Sequence, residues 1–187
     1  MKNPAKRWAE AFAKGKTEDV EAFLEAGGDP NGPGPDGLPL VLGAATRGHA
    51  QIVKILLKKG ASIAATHPVS GRSALHEAAA TGQVALAKIC LASSASSASL
   101  DTVDGLGRTP LLVAAGAKSA DMVRELVTAG ARLDVVEAHT GNMVLHQAAL
   151  SGNVEVVERL QRAGANLEGV NLPGHTALHI AAKEGAI

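Results

Sequence analysis

Gly141-Asn-Met-Val-Leu-His-Gln-Ala-Ala149 decides the architecture, because the same register recurs four more times along the chain. Gly37-Leu-Pro-Leu-Val-Leu-Gly-Ala-Ala45, Gly71-Arg-Ser-Ala-Leu-His-Glu-Ala-Ala79, Gly107-Arg-Thr-Pro-Leu-Leu-Val-Ala-Ala115 and Gly174-His-Thr-Ala-Leu-His-Ile-Ala-Ala182 align with it at intervals of 34, 36, 34 and 33 residues. Self-similarity at a period of this size means stacked supersecondary units, each burying its apolar face against its neighbours.

Each unit reads physically. The glycine makes a turn, and Ser73, Thr109 or Thr176 is placed to N-cap a helix, with Pro110 following where a missing N–H costs nothing. The helix carries a pair of alanines, small enough for a neighbouring helix to approach closely, and stops near Gly48, Gly82 or Gly152. A second helix follows with apolar residues at helical spacing, such as Ile52, Val53, Ile55, Leu56 and Leu57, or Val154, Val156, Val157 and Leu160. It ends at Gly60-Ala61, Gly130-Ala131 or Gly164-Ala165. Ten or eleven residues rich in turn formers then project as a hairpin-like loop before the next anchor.

Composition agrees. Of the 187 residues 46% are hydrophobic, but 36 are alanine and three are aromatic (Trp8, Phe12 and Phe23), so the core is assembled from small pieces packed closely. Eighteen acidic and eighteen basic residues cancel, and no whole-molecule field argues for nucleic acid, membrane or an acidic polymer as partner. A single cysteine, Cys90, excludes an internal disulfide framework and a cysteine-cluster metal site. Charges interrupt every apolar stretch of the first twenty residues, so no ordinary secretory signal is read there, and no run of about eighteen apolar residues could span a bilayer. A cytoplasmic protein is the expectation, with a non-classical secretion route left open.

The T-P-L-H-x-A pattern at a period near 33 resembles the ankyrin repeat. The resemblance covers nearly the whole chain and implies an all-α fold, an ankyrin-type α-solenoid of stacked helix-turn-helix repeats with hairpin-like loops. The chain is then one domain, 1–187: a divergent N-terminal repeat 1–34, repeats at about 35–68, 69–104, 105–138 and 139–171, and a partial final repeat 172–187. In the first unit Gly15 and Gly27-Gly28 fall where Gly48 and Gly60-Ala61 do, with Trp8 in the slot of Val41 and Ala11-Phe12 in that of the alanines. The aromatic cluster is expected to cap that end against unit two, though it could also be a binding hot spot.

Departures from the pattern carry expectations of their own. Pro39 and Met143 occupy the Thr slot, removing a hydroxyl cap worth roughly 0.5–2 kcal/mol. Leu42 and Leu112 replace the histidine, and Lys118-Ser119 replaces a glycine pair, so units two and four are expected to be softer. Ser93 to Ser99 reads as a lengthened, irregular connection. The sixth unit stops after its first helix, which suggests a piece of a longer array or an end covered by something else.

Candidate chemistry is sparse. Gly32-Pro-Gly-Pro-Asp-Gly37 satisfies G-x-G-x-x-G, the spacing that lets amides approach a pyrophosphate, but no strand precedes it and two prolines remove amides from the cradle. Gly116-Ala117-Lys118-Ser119 resembles the end of a phosphate loop but lacks its glycine and sits in an interhelix turn. His76, His146 and His179 share one repeat slot, and the resemblance makes that histidine a structural link between neighbouring units; His49 occupies another structural slot. His67, His139 and His175 lie in loops of separate layers, about 8–10 Å apart, too far for three ligands on one zinc ion. Cys90 falls in the apolar stripe of a second helix and reads as a buried thiol.

The resemblance therefore implies a non-catalytic protein-protein interaction module. Its concave face would be built from residues beside the anchor glycines (Leu38, Arg72, Arg108, Asn142 and His175) and from the ends of the first helices (Arg47, Thr81 and Ser151). Arg47, Arg72 and Arg108 would offer forks for carboxylates, so the partner is expected to be another protein with an acidic or polar segment. No catalytic residue, cofactor, metal, nucleic acid, membrane or small-molecule substrate is expected. Two rival readings stay open: an architectural or self-associating segment of a longer repeat scaffold, and a nucleotide-responsive enzyme using the Gly32 to Gly37 loop or a histidine pair.

Overall fold

The structure, a computed structural model, describes residues 4–93 and 100–185. The serine-rich stretch 94–99, expected to be a lengthened connection, lies outside the described residues. Five helix pairs and a further helix follow one another: α1 (Pro4–Ala13) with α2 (Thr17–Glu25), α3 (Leu40–Thr46) with α4 (Ala50–Lys58), α5 (Ala74–Thr81) with α6 (Val84–Leu91), α7 (Pro110–Gly116) with α8 (Ala120–Thr128), α9 (Val144–Ser151) with α10 (Val154–Arg162), then α11 (Ala177–Lys183). Among the described residues no strand forms; isolated antiparallel bridges join Pro33 to Pro39 and Thr66 to Ser73.

The first helices begin where capping chemistry dictates. Ser73, Thr109 and Thr176 accept through their hydroxyls from the backbone N–H of His76, Leu112 and His179, at 3.4, 3.3 and 3.4 Å. Pro39 and Met143 supply no such cap. Unit five keeps half of the arrangement, because the Met143 N–H donates to His146 Nδ1 at 3.0 Å. In unit two the losses match each other: Pro39 has no N–H to offer and Leu42 no nitrogen to receive one.

The turn between paired helices needs a left-handed residue. Glycine supplies it at Gly48, Gly82 and Gly152, whereas unit four forces Lys118 to φ 61°. A side chain there meets the steric cost of that region, roughly 1–2 kcal/mol.

The first helices pack in sequence, α3 on α5, α5 on α7, α7 on α9 and α9 on α11, while α2, α4, α6, α8 and α10 form a second row behind them. Ala44, Ala45, Ala78, Ala79, Ala114, Ala115 and Ala148 are buried in the first row, while bulkier side chains fill the second at repeating slots: Ile52, Val53 and Leu56, then Met122, Val123 and Leu126. Smaller side chains in the first row allow its helices to approach one another closely.

At the amino end Trp8 stacks on Phe23 with ring centroids 4.4 Å apart and meets Phe12 edge-on at 5.7 Å. Phe12 is fully buried in the shared core, so this cluster joins unit one to the rest of the array.

Candidate partner-binding face

The loops before the first helices are tied to one another. Gly105 N–H donates to Ser70 O at 2.8 Å, Ala138 N–H to Leu106 O at 3.0 Å and Leu172 N–H to Thr140 O at 2.9 Å. Gly141 shows why the anchor is glycine: its φ is 68°, and a Cβ there would lie 2.8 Å from the Leu172 nitrogen. Histidines fasten the loops to the helices. His76 Nδ1 accepts from Ser73 N–H at 3.2 Å, which leaves its Nε2–H to donate to Arg108 O at 2.8 Å. His146 Nε2 reaches His175 O at 2.9 Å in the same way, and His49 Nε2 reaches Ala13 O at 3.1 Å. Burial holds the His76 imidazole below its ordinary pKa, against the pull of the Arg108 carbonyl, and so keeps it neutral.

On this frame the expected site residues fall into different environments. Leu38 is half-buried, its carbonyl accepting from Gly34 N–H at 2.6 Å. Thr81 is exposed, its hydroxyl donating to Glu77 O at 2.8 Å. His175 is exposed beside His179, with ring centroids 6.1 Å apart. Asn142 and Ser151 are buried, a correction to their expected projection from the face. Asn142 Oδ1 accepts from Asn171 Nδ2 at 2.9 Å, and Ser151 Oγ donates to Ala148 O at 2.7 Å, so each satisfies the frame.

The three arginines are engaged within the chain. Arg47 Nη1 lies 2.7 Å from Asp36 Oδ2 and donates to Gly43 O at 2.8 Å. Arg72 Nε lies 3.1 Å from Glu77 Oε1, a charge contact whose N–H does not point at the carboxylate, while Arg72 Nη2 donates to His76 O at 3.1 Å. Arg108 grips Asp104 Oδ2 with Nε at 3.0 Å and Nη2 at 2.8 Å. The other oxygen of Asp104 accepts from the Leu106 and Arg108 N–H groups at 2.9 and 3.0 Å. Burial opposes ionisation of Asp104, but Arg108 and those amides outweigh it and hold the carboxyl below the usual carboxylate range. Asp36 is lowered too, burial again being outweighed by Arg47 and by the Leu38 amide.

The ends of the first helices expose Ala80, Gly116 and Leu150, in equivalent slots of α5, α7 and α9. Leu150 is 46% exposed and is the residue that sequence reasoning passed over in favour of its neighbour Ser151. A signal existed: its slot holds Thr46, Ala80, Gly116 and Lys183 in the other units, so a large apolar side chain there is out of pattern. Gln147, one turn earlier, donates to Glu137 of the adjacent loop at 3.3 Å.

The remaining candidate chemistry is absorbed by the frame. Gly34 and Gly37 turn their amides onto Leu38 O and Gly34 O, leaving no open cradle for a phosphate. His67 Nδ1 accepts from Val69 and Ser70 N–H, both at 3.2 Å. Among the described residues no group of three or more His, Cys, Asp or Glu could hold a metal ion. Cys90 is buried in the slot that Leu56 and Leu126 fill elsewhere, and desolvation pushes its thiol up to about 12. Among the described residues no helix is long and apolar enough to cross a membrane.

Two rows of helices with loops locked edge to edge define a helical-repeat scaffold that offers a contoured wall. The chain belongs to the ankyrin-repeat family: the family model for ankyrin repeats (3 copies) matches residues 8–101, 44–137, 82–171 and 111–187. Repeats of this family generally mediate protein–protein interaction. The chain is 32% identical over 193 residues to Protein glp-1 of Caenorhabditis elegans, spanning 95% of this chain and 15% of that protein. It is 32% identical over 148 residues to the Nuclear factor NF-kappa-B p105 subunit of Gallus gallus (79% of this chain, 15% of the relative). To SH3 and multiple ankyrin repeat domains protein 2 of Homo sapiens it is 33% identical over 168 residues (88% of this chain, 9% of the relative). The chain thus corresponds to a small part of each of these relatives.

Proposed function

We propose that the chain is a single array of repeats, divided at the boundaries read from its sequence, that binds a partner protein on the first-helix face and catalyses nothing. The observation that carries this reading is the exposed helix-end slot Ala80, Gly116 and Leu150 on three successive first helices, in an array whose arginines Arg72 and Arg108 are already neutralised. An exposed apolar row rimmed by polar groups is the usual anatomy of a docking surface. An acidic partner segment would have to displace Asp36, Glu77 and Asp104 from their arginines, so a polar segment with an apolar anchor suits the face better. Thr81 and His175, both exposed, are assigned to the same face. A buried, unpaired Cys90 suits a reducing, cytoplasmic setting.

The test is affinity capture with the wild-type chain and with the double variant Ala80→Asp/Leu150→Asp, helicity being checked by circular dichroism. Proteins held by the wild type and lost from the variant support the reading; an identical set on both overturns it.

One observation favours a second reading, self-association. An apolar cleft of about 380 Å³ between α9, α10 and α11 exposes Val154 (66%), Leu167 (50%) and Leu178 (69%). Sedimentation across concentration separates the two, since self-association predicts a mass that rises with concentration and falls back in Leu178→Asp.

A further inference from the structure

The second row of helices carries a charge pattern that the first-helix face does not explain. From α8 onward its arginines are answered within the chain: Arg124 lies 3.2 Å from Asp121, Arg159 2.7 Å from Glu155 and Arg162 3.0 Å from Glu158. Around α4 the balance differs. Lys54 and Lys58 stand one turn apart and Lys59 follows at the C-cap, all exposed. No carboxylate of the described residues lies within 4.0 Å of these three lysines. Glu21 of α2 lines a neighbouring cleft with them but forms no ion pair there.

Between α4 and α6 runs an open groove of about 510 Å³. Leu57, Ile89 and Ala92 give it an apolar lining, Lys54 and Lys58 stand on one side, Lys88 on the other, and Ser93 also contributes. Lys88 has a 3.5 Å contact with Glu125 but stays 59% exposed, and a long, solvated pair of this kind contributes little, so its ammonium is free to exchange partners. Helix-end carbonyls favour cations at Lys58, Lys59 and Lys88 individually. They do not account for Lys54, nor for the half-buried aliphatic side chains that line the groove between the cations.

We propose that this groove is a second docking site, behind the first-helix face, for a protein segment in which acidic residues flank one or two aliphatic side chains. The aliphatic lining takes the apolar side chains, and the lysines meet the flanking carboxylates, excluding segments of the opposite sign. A peptide fits better than other anions. A bilayer offers no narrow ridge to enter a groove, and a nucleic-acid strand calls for aromatic platforms and a longer track of cations.

The test uses the full chain and a fluorescein-labelled peptide Glu-Asp-Leu-Leu-Glu-Asp, read by fluorescence anisotropy. Saturable binding is expected, weakened about tenfold or more in Lys54→Glu/Lys88→Glu and by serine in place of both leucines. Lys183→Glu, a distant charge change, and Leu150→Asp, on the first-helix face, should leave it intact. Circular dichroism of each variant verifies the fold. No saturation by about 1 mM peptide overturns the proposal. It is equally overturned if the double variant binds unchanged, or if the serine peptide, heparin or phosphatidylserine vesicles bind as tightly as the leucine peptide, since charge alone would then be at work.

Discussion

His146 Nε2 donates to the carbonyl oxygen of His175 at 2.9 Å, joining α9 to the loop that leads into α11. Because Nδ1 is occupied by the Met143 N–H at 3.0 Å, the tautomer is fixed and the ring can serve both sides only while neutral. His146→Leu keeps the volume but strands a part-buried amide and a carbonyl. A loss of about 1–2 kcal/mol in urea unfolding is expected, with the α11 end becoming the first to exchange its amide protons.

His76 makes the equivalent link to Arg108, and burial lowers its pKa from the ordinary 6.5. The unfolded chain therefore binds a proton at a pH where the folded chain still refuses one. This contribution to stability is complete above 6.5 and is lost as pH falls from there through the folded-state pKa. Urea unfolding at about pH 7.5 and about pH 5 should show wild type losing more stability than His76→Asn.

Lys118 stands in the left-handed region at φ 61° where the equivalent turns use Gly48, Gly82 and Gly152. Lys118→Gly relieves that strain, and the greater freedom of glycine in the unfolded chain offsets part of the gain. A net stabilisation of about 0.5–1 kcal/mol follows, read as a rise in Tm of about 1–3 °C by calorimetry.

Arg108 is a structural clamp before it is a surface cation. Its removal leaves the Asp104 carboxylate, 2% exposed, with only its two amide donors. Arg108→Ala should cost about 1–2 kcal/mol. The lowered pKa of Asp104 makes the wild-type contribution present above the ordinary carboxyl value of 3.8 and lost as pH falls through the folded-state value. Thermal scans at about pH 7 and about pH 3 should show the gap between the two proteins closing in acid.

Cys90, buried and with its thiol pushed up to about 12, has almost no thiolate near neutrality. Alkylation by iodoacetamide should follow the opening of α6 and accelerate sharply in urea. Rapid modification of the folded chain would contradict this packing.

The sequence by itself determined the order of the helix pairs, the caps at Ser73, Thr109 and Thr176 and the glycine turns, while the linking histidines came from the family resemblance. Those signals are local and periodic: a hydroxyl caps three residues ahead, a glycine accepts positive φ, and a slot repeated five times averages away accident. Tertiary structure alone decided which polar side chains remain free. Arg47, Arg72 and Arg108 share a face in the sequence pattern, yet only the folded loops and helix starts bring Asp36, Glu77 and Asp104 against them. Helical periodicity placed Leu150 and Ser151 at one helix end, and which of them turned inward depended on the carbonyl of Ala148 and the wall of packed alanines beside it. A repeat pattern specifies the slot; the desolvation and pairing of the side chain in it are set by how the loop and helix end around it fold, which the pattern does not encode.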